Sequence, residues 1–413
     1  MKTLSIDVET YSGENLARAG AYRYAAAADF DLLLFAYAID DGPVHVVSTA
    51  TGEKVPDHII TALTDPAVTK RAWNASFERV VLSRWLHQLG HLPAGEFIDP
   101  AGWECTMVWA TALGLPRALK DAGAALQLDE QKIAEGRELI QYFCVPTRGR
   151  AVDAPALFDA EGLEHRNQPE SAPEKWADFI EYCRRDVEVE TSIRRRLDAM
   201  PLPPFVWAEY EVDQRINDHG IRIDTALAAA AIQADDAHRA HCLDEARELT
   251  GLDNPASPTQ RQRWLGEQGV TVASMAKQDV ADALATATGT TRRVLELRQD
   301  MSRSSTKKYE AMENAVCPDG RARGLTQFYG AGRTGRWAGR LIQVQNLPRN
   351  YLPDLDEARA LVRGGHHQAV EMLYPSVPDT LSQLIRTAFI PAEGMRFIVA
   401  DYSAIEARGL AWL

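Results

Sequence analysis

The sequence predicts an α/β domain over its first two hundred residues, followed by a mainly helical second half that ends on the start of a further sheet. Two observations carry this. Short apolar runs alternate with helical patterns as far as residue 197, whereas the segments beyond are mostly long and helical in composition. The run Met200-Pro201-Leu202-Pro203-Pro204 separates the two regimes, because successive prolines remove helix donors. The boundary is placed there, giving domains 1–200 and 201–413.

Strands are expected at 4–10, 32–39, 44–47 and 68–73, the last interrupted by Lys70 and Arg71, and helices at 77–89 and 103–113. The stretch 145–173 is rich in proline, glycine and charge without a period and reads as a long surface loop. A strong helix covers 176–197, where Trp176, Phe179, Ile180, Cys183, Val187 and Ile193 recur at helical spacing. Beyond the prolines, 205–217 and 225–249 are helical by composition, and Ser257 before Pro258 is an N-cap followed by proline at the first helical position. Phe397-Ile398-Val399-Ala400 reads as a short strand that delivers Asp401, and an amphipathic helical pattern is still running at Leu413.

The composition, 46% hydrophobic and 25% charged over 413 residues, excludes disorder, collagen and coiled coil. The longest apolar run is the eight residues 32–39 and no apolar signal core follows Met1, so a soluble, cytoplasmic protein with no membrane partner is expected. Five widely spaced cysteines suggest neither a disulfide framework nor a zinc site. The net charge of −13 is uneven: from Arg303 to Arg349 nine basic residues face three acids, a local +6 against −19 elsewhere. An acidic body with one basic stripe suits a protein that grips a polyanion in a single groove.

Asp7 and Glu9 lie two apart on the first strand and leave the same face, an arrangement that is costly unless a cation neutralises it. A solvated edge strand would show the same pair. Tyr182 and Asp186 stack one turn apart on the strong helix, although a surface helix with ion pairs would also carry them. Asn74 is a candidate N-cap, and Glu78 in the first turn would favour the helix dipole. Taken together, four acids and a tyrosine sit on three elements in an order that permits convergence. Carboxylates holding two divalent ions roughly 4 Å apart activate a water and stabilise the leaving oxygen in phosphodiester hydrolysis. Oxygen-only ligation points to Mg²⁺ or Mn²⁺, two per site.

At these positions the sequence resembles the DEDD proofreading exonucleases with tyrosine in their third motif: Ile6-Asp7-Val8-Glu9-Thr10, Asn74-x-x-Phe77-Glu78 and Tyr182-x-x-x-Asp186 match the three motifs. The resemblance implies a ribonuclease H-like domain with a mixed sheet, in which Asp7, Glu9 and Asp186 bind metal, Glu78 supports the second metal and Tyr182 orients the attacking water. The family usually has aspartate where Glu78 stands, one methylene shorter with the same charge. In the second half, Thr334-Gly335-Arg336, Gln345-Asn346-Leu347-Pro348 and Asp401-Tyr402-Ser403-Ala404-Ile405-Glu406-Ala407-Arg408 resemble consecutive landmarks of family A DNA polymerases. This implies a thumb and the first palm strand. Asp401 would be a catalytic metal ligand, Glu406 the residue that excludes a ribose 2′-hydroxyl, and Arg336 a primer contact. Asn74, Phe77, Lys307, Lys308, Tyr309, Gln345 and Asn346 are implied as further nucleic-acid contacts.

The expected protein is the amino-terminal part of a phage-type polymerase, acting in the host cytoplasm, that hydrolyses single-stranded DNA 3′ ends and holds primer-template duplex. The fingers and the second palm carboxylate are missing before Leu413, so polymerisation is not expected of this chain alone; a separate polypeptide could supply them. The rivals are a stand-alone exoribonuclease of the ribonuclease D type and a non-catalytic DNA-binding replication subunit. Gly330-x-Gly332-x-x-Gly335 is rejected as a dinucleotide fingerprint because no strand-helix-strand unit surrounds it, and His366-His367, His87 and His91 lack partner ligands.

Overall fold

A computed structural model describes residues 1–128, 136–147, 166–302 and 306–412 of the chain. Most of the expected 145–173 loop, and Arg303, lie outside the described residues. The chain opens with β1 (Thr3–Tyr11), α1 (Leu16–Ala25), β2 (Asp31–Ile39), β3 (Val44–Ser48), α2 (Asp57–Thr64), β4 (Thr69–Ala72) and α3 (Ala75–Gln88). There follow β5 (Trp103–Cys105), α4 (Thr106–Ala112), α5 (Leu119–Ala125), α6 (Gly136–Phe143) and the 25-residue α7 (Pro173–Leu197). The five strands form one sheet in the order β3-β2-β1-β4-β5. The first three are antiparallel neighbours, and β4 and β5 run parallel to β1. This is a mixed, ribonuclease H-like sheet.

Period-two alternation sends β1 side chains to two environments. Leu4, Ile6 and Val8 join the core that contains α3 residues Val80 and Val81, and α7 packs its Phe179, Cys183 and Val187 into a second cluster with Leu33, Leu34 and Ala36 of β2. Parallel pairing of β1 with β4 covers only Thr3 to Ser5, so β1 runs on past the end of β4. The first turn of α3 sits beside that overhang. Crevices outside the carboxyl ends of parallel strands are where open α/β sheets place ligands.

The second half begins with α8 (Pro204–His219), whose first residue is a proline and whose end is set by Gly220 at φ 57°. A Cβ there would meet the Ala322 carbonyl oxygen at 2.5 Å. Next come β6 (Ile221–Ile223), α9 (Thr225–Thr250), α10 (Pro258–Glu267), α11 (Lys277–Leu284), α12 (Gly289–Met301), α13 (Lys307–Ala315), β7 (Arg321–Ala322), β8 (Thr326–Ala331) and β9 (Arg336–Gly339). The chain continues through α14 (Leu355–Arg363), α15 (His367–Leu373), α16 (Val377–Leu384), β10 (Phe389–Ile390) and α17 (Ile405–Trp412). Helices α9, α13, α14 and α16 share one core, and α10 to α12 close a smaller one around Trp264 and Leu295. The first core does not stop at the proline run: Val206 and Tyr210 of α8 and Phe328 of β8 belong to it.

Three expectations change. Residues 103–105 are strand, because pairing with β4 overrides their helical pattern. The short strands β6 to β10 were absent from the expected outline; each has six residues or fewer, too few to show a period. Phe397-Ile398-Val399-Ala400 form no strand: they are unpaired among the described residues, with Ile398 and Val399 86% and 90% exposed. Strand propensity cannot substitute for a hydrogen-bonding neighbour. The Gly330 to Gly335 segment is the end of β8 and the turn into β9, and opens no helix.

Candidate functional site

The acids of the first half converge. Asp7, Glu9 and Asp186 each present an oxygen within 4.8 Å of the others, and among the described residues they are the only such group of three. Asp7 and Glu9 leave the same side of β1, and α7 lies across that side carrying Tyr182 and Asp186, which are 2% and 6% exposed. Glu78, in the first turn of α3, is buried close enough to interact with Asp7 and Asp186. Burial, then the charge of Asp7, pushes its carboxyl well above the usual range. Its Oε2 is buried without a hydrogen-bond partner among the described residues. At an effective dielectric of 20, two carboxylates 5 Å apart repel by roughly 3 kcal/mol, so the cluster is strained unless a cation shares it. Compact spacing, oxygen donors and an orphaned buried oxygen fit a hard divalent ion.

The tyrosine and its surroundings are tightly built. Tyr182 stacks on Phe179 with ring centroids 6.1 Å apart, and its phenol is raised above its usual range by burial and by Asp186, so it remains a proton donor. Gly136, at the start of α6, lies against the same ring: a Cβ there would lie 1.9 Å from Tyr182 Cε2. Gly136→Ala should therefore displace the ring and slow any reaction that needs the phenol by about tenfold or more. An unchanged rate would show that the ring position is unimportant.

Two thiols and one further acid were missed by sequence reasoning. Cys183 Sγ donates to Asp7 Oδ2 at 3.5 Å, and Cys144 Sγ to Glu9 Oε2 at 3.8 Å. Burial pushes both thiols up, so without an ion each is held as a protonated donor to its carboxylate. Glu190, one turn after Asp186, is 2% exposed and accepts a hydrogen bond from Thr106. Its spacing of four from Asp186 was a readable signal; the thiols had none.

The expected nucleic-acid residues divide. Asn74 makes no capping hydrogen bond among the described residues and instead accepts one from Ser76 Oγ at 3.3 Å. With Phe77 it lines a cavity of about 410 Å³ between the halves, where Leu16, Ala17 and Phe77 also border a 770 Å³ cleft that reaches Glu9. Arg336 is exposed on β9 and lies 3.5 Å from Glu406. Gln345 and Asn346 sit in a single 3₁₀ turn, Gln345 against Gly339. Lys307 is exposed, but Lys308 donates to the Ile342 carbonyl at 2.8 Å. Tyr309 is fully buried and its hydroxyl donates to the Leu381 carbonyl at 2.7 Å, so it is a core residue with no surface to offer DNA. Asp401 lies exposed in the unpaired segment after residue 396 and joins no acidic group of three among the described residues.

A ribonuclease H-like sheet with an acidic site, continued by a mainly helical part, is the class these features define. Over its whole length the chain is 50% identical to the DNA polymerase of Bacillus phage SP02, and it spans 61% of that protein. Among solved structures, the POL domain of Pol1 from M. smegmatis, in complex with DNA primer-template and dNTP, matches with a TM-score of 0.53 and 16% identity. That match covers 99% of this chain and 58% of the other, and shows a shared fold. An apo nuclease aligns over 48% of the chain and 72% of its own, at 19% identity and a TM-score of 0.28. No family model matches the sequence. Among the described residues, no helix is long and apolar enough to cross a membrane.

Proposed function

We propose that the chain is the amino-terminal part of a family A DNA polymerase and that its acidic site is a metal-dependent 3′–5′ exonuclease acting on DNA in the host cytoplasm. The observation that carries this is the convergence of Asp7, Glu9 and Asp186 beside buried Glu78 and Tyr182. Asp7, Glu9 and Asp186 would hold Mg²⁺ or Mn²⁺, with Glu78 supporting a second ion. Bound there, such ions activate a water and stabilise the leaving oxygen. Tyr182, kept protonated, orients the nucleophile through its hydroxyl. The cleft bordered by Leu16, Ala17 and Phe77 reaches Glu9 and would receive an unpaired 3′ end.

Residues 1–200 are assigned to the exonuclease and 201–413 to the thumb and start of the palm. Because the chain spans 61% of its relative, template-directed synthesis is proposed only when the fingers and remaining palm are supplied with it, giving the exposed 397–400 segment its neighbours and Asp401 its companion acid. Purified chain in Mn²⁺ should shorten 5′-labelled single-stranded DNA from its 3′ end, faster than duplex and faster than RNA. Intact 3′ ends would leave a non-catalytic DNA-binding subunit; preference for RNA would favour an exoribonuclease.

Exposed cations of the second half are assigned to duplex backbone. Replacing Lys307, Arg336 and Arg340 together should lower the slope of log affinity against log salt by about 2–3, at about 0.9 for each phosphate no longer neutralised. An unchanged slope would remove the stripe from the interface.

A further inference from the structure

Phe77, Glu78 and Arg79 open α3 and turn to three different surroundings: the cleft, the acidic cluster and the second half of the chain. Arg79 is 0% exposed. Its Nη2 donates to Asp218 Oδ1 at 2.6 Å, and its Nη1 to Asp218 Oδ2 at 2.9 Å and to the Ile98 carbonyl at 2.7 Å. Tyr22 of α1 donates to the same Asp218 Oδ1 at 2.6 Å. One carboxylate from α8 thus ties down α1 and α3, the helices that carry Leu16, Ala17 and Phe77 along the cleft leading to Glu9. A second acid pins α8 to the strands after it: buried Asp213 accepts from Trp337 Nε1 at 2.7 Å and Thr326 Oγ1 at 2.8 Å.

We infer that Asp218, though it belongs to the second half, is a positioning residue of the exonuclease site, acting through Arg79 and Tyr22. Glu78 Oε2 has no hydrogen bond of its own among the described residues, so the setting of α3 determines where that carboxylate stands. A buried guanidinium deprived of its carboxylate must be resolvated or displaced, and α3 moves with it. The inference rests on the exonuclease assignment and adds that the first two hundred residues do not complete the site.

The test uses the full chain. Mn²⁺ binding is measured by calorimetry without DNA, the Mn²⁺ dependence of single-stranded DNA degradation is titrated, and thermal midpoints are recorded. Asp218→Asn should raise the half-saturating Mn²⁺ about tenfold or more, as losses of groups that orient metal ligands do. Asp218→Glu should recover part of that shift. Asp99→Asn, which breaks an exposed pair with Arg215, should leave it unchanged. A merely structural role would lower the thermal midpoint without moving the Mn²⁺ titration. If Asp218→Asn does not fold, Tyr22→Phe carries the test, since it spares the Arg79 pair while freeing α1; a twofold to fivefold shift is expected. Folded Asp218→Asn, or failing it Tyr22→Phe, with wild-type Mn²⁺ dependence overturns the inference alone. A wild-type chain that neither binds Mn²⁺ nor degrades DNA overturns the exonuclease assignment and this one together.

Discussion

Asp7→Ala and Asp186→Ala should each abolish Mn²⁺-dependent release of nucleotides from single-stranded 3′ ends, by about 10³-fold or more. A metal bound at reacting oxygens contributes several kcal/mol to the transition state, and each 1.36 kcal/mol is about tenfold in rate. Neither variant should lose thermal stability, since each takes a charge out of a cluster whose members lie within 4.8 Å of one another. Tyr182→Phe separates positioning from metal binding. It removes a hydroxyl and no charge, so Mn²⁺ affinity should hold while turnover falls by about 10²–10⁴. Loss of Mn²⁺ binding in Tyr182→Phe would show that the hydroxyl serves the metal site directly, and full activity in Asp7→Ala would sink the carboxylate assignment.

Glu78→Gln should stabilise the metal-free protein above about pH 5, the side on which an unperturbed glutamate is ionised. Burial and Asp7 raise the native carboxyl, so the folded state holds a proton that the unfolded chain releases. Its stabilising contribution is full below the unfolded value and is lost as pH rises through the raised native one, at ~1.4 kcal/mol per pH unit across that window. Glutamine removes that slope, so wild type and variant should converge in acid and separate towards neutral pH. Mn²⁺ should act in the opposite sense, adding ~2.7 kcal/mol to wild type at a hundredfold excess over its dissociation constant, and less to Glu78→Gln. Parallel pH profiles with and without Glu78 would show that the carboxyl is not strained.

The grouping of the acids was legible because they sit at local spacings that backbone geometry converts into shared faces. Two apart on a strand aims Asp7 and Glu9 one way, and four apart on a helix stacks Tyr182 over Asp186. The long helices were legible for the same reason: α7 and α9 begin and end within three residues of their expected bounds. These are properties of the chain within a turn or two, which sequence alone determines.

Other features depended on which distant segment arrives. Tyr309 directly follows Lys307 and Lys308 and reads as a contact for DNA, yet its helix turns it into the α9–α16 core, where the Leu381 carbonyl takes its hydroxyl. Residues 397–400 have strand composition but pair with no neighbour among the described residues, so they stay exposed. Gly136 matters only because Tyr182 is delivered against it, and Arg79 only because α8 brings Asp218 across a separation of 139 residues. Sequence by itself determined which side chains share a face; tertiary structure decided what each face meets, because hydrogen-bond partners and burial are set by segments far apart in the chain.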